Sequence, residues 1–475
     1  MNPLSKKAMR AWIQLGPRFL PFADAATPDL PLGRLLRLSL FQVSVGMAMV
    51  LLVGTLNRVM IVELGVPASL VAVMISLPVL FAPFRALIGY RSDTHRSALG
   101  WRRVPYIWKG TMIQFGGLAI MPFALLVLSG GGNAAAWPTW VGQLGAGLAF
   151  LLVGAGLHTT QTAGLALATD LAPVESQPKV VGLMYVMLLL GTIVSALVFG
   201  ALLQDFTPAR LVQVIQGSAV ATIALNMLAL WQQETRRPSR GAAAPAADPS
   251  FHDAWGTFAR GDHALRRLLA VGLGTMAFSM QDVLLEPYGG QVLQLTVSAT
   301  TLLTATLATG GLLGFWLASK VLGNGADPFR IASHGAVAGI AAFLAVIFAA
   351  SLQSTLLFAA GVLLIGFGGG LFGHGTLTAT MNLAPKEQAG LALGAWGAVQ
   401  ATAAGVAVAL GGILRDGVTA ILDHVSVMPS WHGQATGYIA VYTLEVLLLL
   451  ATLVAMSPLI RRTHRHGPAL GAASD

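Results

Sequence analysis

A chain of 475 residues that is 55% hydrophobic and only 10% charged, with a mean hydropathy of +0.73, cannot be a water-soluble globule, where about a quarter of residues carry charge. A net charge of +9 raises nucleic acid as a partner, a reading that the placement of the charges excludes below. The lack of cysteine removes disulfides, thiolate metal sites and cysteine nucleophiles.

In chain order, residues 1–35 open with "MNPLSKKAMRAWIQLGPRFLPFADAATPDLPLG". This stretch has no continuous apolar core of the kind a cleavable signal needs. Apolar runs of roughly 20 residues, enough to cross a bilayer, then start near Leu36, Ser69, Val104, Trp137, Val180 and Leu211. They make a first six-helix half over residues 36–230. The stretch "WQQETRRPSRGAAAPAADPSFHDAWGTFARGDHALRR" is polar and rich in Ala and Pro, so residues 231–264 read as a cytoplasmic linker with a short surface helix. Further runs start near Leu265, Thr301, Ile331, Thr355, Gly390 and Tyr438 and make a second half over residues 265–460. Residues 461–475 form a tail. The prediction is an all-α integral membrane protein with twelve transmembrane helices.

Charge sidedness tests that count. With an inside amino terminus, the segments between spans alternate so that all 28 Lys and Arg residues lie inside except Arg58, Arg210 and Arg415. Such a split follows the positive-inside rule and puts both termini in the cytoplasm. The basic balance is therefore topology, and nucleic acid is not expected as a partner.

The chain also repeats. "LLVGAGLHTTQTAGLALATDLAP" from Leu151 and "LLIGFGGGLFGHGTLTATMNLAP" from Leu363 align without a gap and share 8 of 23 positions. Glu175 and Glu387 continue the match. The fourth span of one half thus matches the fourth of the other, which makes the halves parallel repeats, as in major facilitator transporters. After the second span, "GYRSDTHRSALGWRR" resembles that superfamily's loop signature at Gly89, Asp93, Arg96, Gly100, Arg102 and Arg103, with a stretched tail. The corresponding "GFWLASKVLGNG" keeps Gly314 and Lys320 but has no Asp. The superfamily resemblance places Asp93 near the start of the eleventh span, around Gly390 to Gly394, where a helix amino terminus suits a carboxylate.

Four stretches narrow the resemblance: "RFLPFADAATPDLPLGRLLRLSLFQVSVGM", "LNRVMIVELGVP", "ATDLAP" and "MQDVLLEPYGG". They resemble the light-harvesting complex assembly proteins of purple phototrophic bacteria (PucC and LhaA type), the bacteriochlorophyll-delivery branch of the major facilitator superfamily. The likeness runs from Arg18 to about Arg462. It implies an assembly factor, with a lean to the core antenna around the reaction centre. The implied cargo is bacteriochlorophyll, with carotenoid or lipid as further candidates. The implied partners are antenna polypeptides, the reaction-centre core complex, pigment-synthesis enzymes and membrane lipid. The implied location is the bacterial inner, intracytoplasmic photosynthetic membrane.

If a chlorin is bound, its magnesium takes one axial ligand, commonly a neutral imidazole. Of the three span histidines, His158, His334 and His374, the repeat pairs His158 with Gly370 and His374 with Thr162. His374 and His158 are the candidate ligands, and a buried histidine bonded to a backbone carbonyl is the other reading of each. Around His374, "GFGGGLFGHGTLTAT" has six glycines, a surface open either to a close helix neighbour or to a flat macrocycle. No metal is expected beyond pigment magnesium. With no phosphate loop, nucleophile elbow or metal-ligand cluster, no enzyme is expected.

Polar groups within spans need partners. Gln114, Gln161, Asn226 and Gln400 read as interhelical hydrogen-bond formers, and Glu445 is harder to place. "NRVMIVELG" lines up with "QDVLLEPYG", setting Asn57 and Arg58 opposite Gln281 and Asp282. Asp282 and Glu286, four apart, share a helix face near the outer membrane surface, and Pro287 with Gly289 and Gly290 is expected to end or bend that helix. Arg58 is expected to pair with Asp282, Glu286 or both as a periplasmic charge lock between the halves; two carboxylates reaching water is the simpler alternative. An ion-coupled small-solute transporter, with Asp282, Glu286 or Glu445 carrying protons, is the second functional reading.

Overall fold

The computed structural model describes residues 25–27, 30–78, 88, 92, 100–130, 136–173, 176–234, 264–383, 389–424 and 435–463. Among them, eleven helices are long and apolar enough to cross a membrane. A twelfth, α2, is described over Ala68–Ser76. In chain order α1 covers Leu32–Glu63 and, after α2, α3 covers Val104–Leu128. Thr139–Leu171 forms α4, Gln177–Leu202 α5 and Pro208–Leu230 α6. Ala264–Gln291 forms α7, Val297–Gly323 α8 and Pro328–Leu352 α9. Thr355–Leu383, Ala389–His424 and Thr436–Thr463 form α10, α11 and α12. Each helix starts within a few residues of a start expected from hydropathy. Helix starts carry local signals: the Asp327 carboxylate accepts from the Phe329 N–H at 2.9 Å at the head of α9, and Pro208 and Pro328 occupy first turns, where no N–H is required.

Large apolar side chains lie on the outside, with Leu356 82% and Phe123 66% exposed, as a bilayer-facing surface requires. Burial against lipid tails does not drive helices together, so small residues and interhelical hydrogen bonds must.

The chain forms two compact units. The first comprises Met1–Gly65, Leu77–Ala242 and Thr296–Ala305; the second comprises Val66–Ser76, Ala243–Leu295 and Thr306–Asp475. Each unit holds most of one sequence half and takes one short segment from the other.

In the first unit, α3 and α4 approach backbone to backbone. A Cβ at Gly156 would meet the Gly110 carbonyl at 2.6 Å, and one at Gly110 would meet the Gly156 carbonyl at 2.8 Å. A buried polar network spans α1, α3 and α6. Asn226 donates to Thr111 at 2.9 Å and accepts from Ser44 at 2.9 Å, and Gln114 donates to Thr222 and to the Ser44 carbonyl, each at 3.4 Å. Gln161 of α4 donates to Gln42 of α1 at 3.3 Å. The segment Thr296–Ala305 joins through Ser298, which donates to the Gly200 carbonyl at 2.6 Å.

The second unit has an aromatic centre. Tyr288 of α7 sits 5.2 Å from Phe358 and 5.5 Å from both Tyr438 and Tyr442, ring centre to ring centre. Its hydroxyl donates to the Val346 carbonyl at 2.9 Å. The α2 segment is held by Asp416 of α11, which accepts from the Ser69 N–H at 2.7 Å. A Cβ at Gly412 would meet the Ala68 carbonyl at 2.6 Å, so glycine there lets α2 seat against α11.

Candidate functional site

The sequence singles out three regions.

The first surrounds His374 on α10. Its ring is half-buried, and its Nδ1 is buried with no hydrogen-bond partner. The Phe315 ring of α8 lies 4.3 Å away, centre to centre, tilted by 53°. The neighbouring glycines mostly serve close helix packing. A Cβ at Gly370 would meet the Gly311 carbonyl of α8 at 2.5 Å, and one at Gly375 would meet the Pro328 carbonyl of α9 at 2.8 Å. Gly368 faces the Gly335 carbonyl of α9 at 2.7 Å in the same sense. Of the two occupants the glycine surface admits, helix neighbours therefore take most of it. Gly373, next to His374, is different: a Cβ there meets nothing within 4 Å. His158, half-buried on α4, belongs to the first unit.

The second region is the pair of aligned stretches in α1 and α7, and both depart from regular α-helix. In α1 the backbone winds as a π-helix over Val50–Leu56 and Val59–Glu63. In α7 it tightens to a 3-10 turn over Met280–Val283 before Leu285–Gln291 resumes as α-helix. Asn57, fully buried, donates to the Val53 carbonyl at 3.0 Å. Gln281 donates to the Phe278 carbonyl at 3.2 Å and to the Asp282 carboxylate. Each amide thus bonds back onto its own helix at the irregularity.

One expectation is corrected here: Asp282 and Glu286 do not share one regular helix face, because Asp282 lies in the 3-10 turn and Glu286 in the helix after it. The expected end or bend at Pro287 and the glycine pair is found as the 3-10 turn that closes at Val283, four residues before Pro287, and as the helix end at Gln291, one residue after Gly290. Pro287 is the third residue of the resumed helix, where its missing N–H has no intrahelical partner to lose. Glu286 is buried in that same first turn, next to the positive end of a helix dipole.

Arg58, 4% exposed, forms an ion pair with Glu63, an acid that the sequence reading passed over. The π winding explains the pairing, since its hydrogen bonds run from residue i to i+5, as the Leu64 N–H does to the Val59 carbonyl at 3.0 Å. That winding brings Arg58 and Glu63 to one side. Arg58 belongs to the first unit, Asp282 and Glu286 to the second.

The third region is the loop motif. Gly89, Asp93 and Arg96 lie outside the described residues. Gly100 has φ +78°, the left-handed region that favours glycine. Arg103 donates to Asp170 at 3.0 Å and to Ser92 at 2.6 Å, and Arg102 donates to Asp170 at 3.2 Å. The backbone N–H groups of Arg102, Arg103 and Val104 donate to the Glu234 carboxylate at 2.7, 3.1 and 3.0 Å, so an acid placed after α6 caps the start of α3. Neither acid was singled out in the sequence: Asp170 stands within "ATDLAP" as an acid at a span end, and Glu234 had no local signal. The linker's first residues are anchored as well: Arg34 donates to the Gln233 carbonyl at 2.8 Å. Beside this region, Trp101, Trp108, Met227, Trp231 and their neighbours line an apolar cavity of about 260 Å³.

Residues 55–464 match the family described as PUCC protein. Over 420 residues the chain is 65% identical to Protein PucC of Rhodovulum sulfidophilum, covering 88% of this chain and 92% of that one. Over 413 residues it is 27% identical to the bacteriochlorophyll synthase 44.5 kDa chain of Rhodobacter capsulatus, covering 82% and 88% of the two chains. Among solved structures, the nucleoside transporter NupG superposes with a TM-score of 0.64 at 15% identity, over 90% of this chain and 99% of that one. The fold is that of the major facilitator superfamily.

Proposed function

The chain belongs to the PUCC protein family, and from that premise we propose that this multi-pass membrane protein is an assembly factor for a bacterial light-harvesting antenna, without enzymatic activity. It binds bacteriochlorophyll and hands it to antenna polypeptides of the core complex around the reaction centre, in the photosynthetic inner membrane with both termini cytoplasmic. The family match across residues 55–464 carries the reading. A relative named for bacteriochlorophyll synthase supports the pigment as cargo.

His374 is the group best suited to meet such a cargo. Its Nδ1 lies in the buried part of a half-buried ring, which leaves the Nε2 edge to offer a lone pair to a magnesium ion. The open space at Gly373 adjoins it, and the Phe315 ring limits its rotation. The packed glycines leave no flat slot within α10's helix contacts, so a macrocycle is met at this edge.

An absorption spectrum of the protein purified from a pigmented membrane tests the proposal. Bacteriochlorophyll should co-purify, and His374→Leu should reduce it. His158→Leu is the matched control on the repeat-related helix. Unchanged pigment occupancy and spectrum in His374→Leu would remove this residue from the site. Absence of pigment from the unmodified protein would count against cargo binding altogether. For topology, a reporter fused at Gly132 should report the periplasm, and a cytoplasmic signal there would break the assigned sidedness.

A further inference from the structure

The second unit buries an acid that the pigment reading does not use. Glu445 of α12 is 0% exposed, and neither carboxylate oxygen has a hydrogen-bond partner. The polar groups that face it from α7 are the Gln281 backbone and the Asp282 carboxyl. On its own helix, one turn earlier, stands Tyr442, fully buried and with an unpartnered hydroxyl. Behind Tyr442 lie the Tyr288 and Tyr438 rings. Arg415, at the far side of Tyr438, is engaged with Asp416 and Gln291. Among the described residues no lysine, arginine or histidine pairs with Asp282 or Glu445.

Among the groups near Glu445, the Gln281 backbone N–H and the Tyr442 hydroxyl can donate, and the Asp282 carboxyl can accept. Both Gln281 amide hydrogens are used, one on Phe278 and one on Asp282, and its Oε1 has no partner. An unpaired carboxylate in such a place carries a prohibitive desolvation cost and takes up a positive charge instead. A metal cation needs several oxygens around a cavity of its own, whereas the helices close in here. A Cβ at Gly411 of α11 would meet the Met280 carbonyl at 2.7 Å, at the 3-10 turn itself. A proton needs no such room. Asp282 keeps some accessible area, which Glu445 lacks.

We propose that Glu445 and Asp282 form a proton-binding site at the break in α7, in which Glu445 stores an exchangeable proton and Asp282 is the port through which it passes. In the transfer, the Glu445 O–H bond breaks and an O–H bond forms on the Asp282 carboxylate; the charge left on Glu445 is met by the Gln281 backbone N–H and the Tyr442 hydroxyl. The two acids then alternate in holding one proton. The α7 turn is where that charge movement is felt, since Gln281 and Asp282 are part of it. This inference does not depend on the identity of any cargo.

Infrared difference spectroscopy on the full-length protein in lipid tests it. A carbonyl-stretch band of a protonated carboxylic acid should be present at neutral pH and should be lost in Glu445→Gln. In Asp282→Asn the band should persist, but its shift on transfer to deuterated water should be slowed. A band unaltered in Glu445→Gln would overturn the store, and an exchange rate unaltered in Asp282→Asn would overturn the port. Loss of the band on replacing choline chloride by sodium chloride would overturn the proton in favour of a metal ion. Should Glu445→Gln fail to accumulate, Tyr442→Phe supplies the readout. Removing the neighbouring hydroxyl should move the band, and an unmoved band would speak against Glu445 as its source.

Discussion

Gly366→Val should abolish accumulation of folded protein. A Cβ at this position runs into the Leu307 carbonyl and meets the Gly311 N–H nitrogen of α8 at 2.9 Å. Both are backbone atoms that no rotamer change can move. Gly310, Gly314 and Gly370 line the same seam between α8 and α10, so relief at one position meets an obstacle at the next. Overpacking in a close-packed interior costs about 1–3 kcal/mol when side chains can yield; against rigid backbone, about 4 kcal/mol or more is expected. Thermal unfolding in detergent measures this, with Gly373→Ala as the internal contrast. The alanine methyl enters open space, so its effect should stay within about 0.5 kcal/mol. Equal melting of Gly366→Val and the unmodified protein would show that close backbone approach is not what holds α8 to α10. Gly373→Leu extends the comparison: it should leave the melting curve in place while displacing pigment from the His374 edge.

Arg103→Ala should be the most damaging single change in the first unit's loop cluster. The Arg103 side chain is only 6% exposed and joins Asp170 to Ser92. Breaking a buried ion pair costs about 3–5 kcal/mol, but Asp170 is 34% exposed, and solvent screening there lowers the expectation to about 2–3 kcal/mol. The pairing itself is isolated by a double-mutant cycle with Asp170→Ala. A coupling indistinguishable from zero would mean that the Asp170 pairing contributes nothing and that Arg103 acts through its other contacts, Ser92 among them. Arg102→Ala should cost much less, since its side chain is 46% exposed.

The helices were legible because length, hydropathy and charge sidedness are each set by the bilayer. A run such as the one starting at Val104 has no other way to satisfy its backbone than as a helix. The parallel repeat was legible for a related reason, since the Leu151 and Leu363 stretches kept glycines where neighbouring helices come close. The site was less legible, because its chemistry sits where helices stop being regular. Arg58 and Glu63, five apart, point away from each other on a 3.6-residue helix, and only the π winding brings them together. Asp282 and Glu286, four apart, look like neighbours until the 3-10 turn separates them. Pro287 reads as a breaker in the sequence, and the irregular turn stands on the side where a proline acts, ending at the residue four before it. The Glu234 cap on α3 joins residues 130 apart, beyond any periodicity. His374 was visible as a residue type, but whether its glycines admit a ring or a helix depended on the neighbours that α8 and α9 supply.

The exchange of Val66–Ser76 and Thr296–Ala305 between the two compact units bears on how the protein is made. Synthesis proceeds from the amino terminus, and domains generally fold as they emerge. Here the first unit lacks part of itself until residue 305 has been translated. The second unit takes in a segment, headed by Ser69 with its N–H waiting for Asp416, that was inserted hundreds of residues earlier. Neither half can therefore finish as an autonomous body and dock afterwards. A translational pause in the linker would hold an incomplete first unit in the membrane, with residues 66–76 unclaimed, so the two halves must mature as one event rather than in turn.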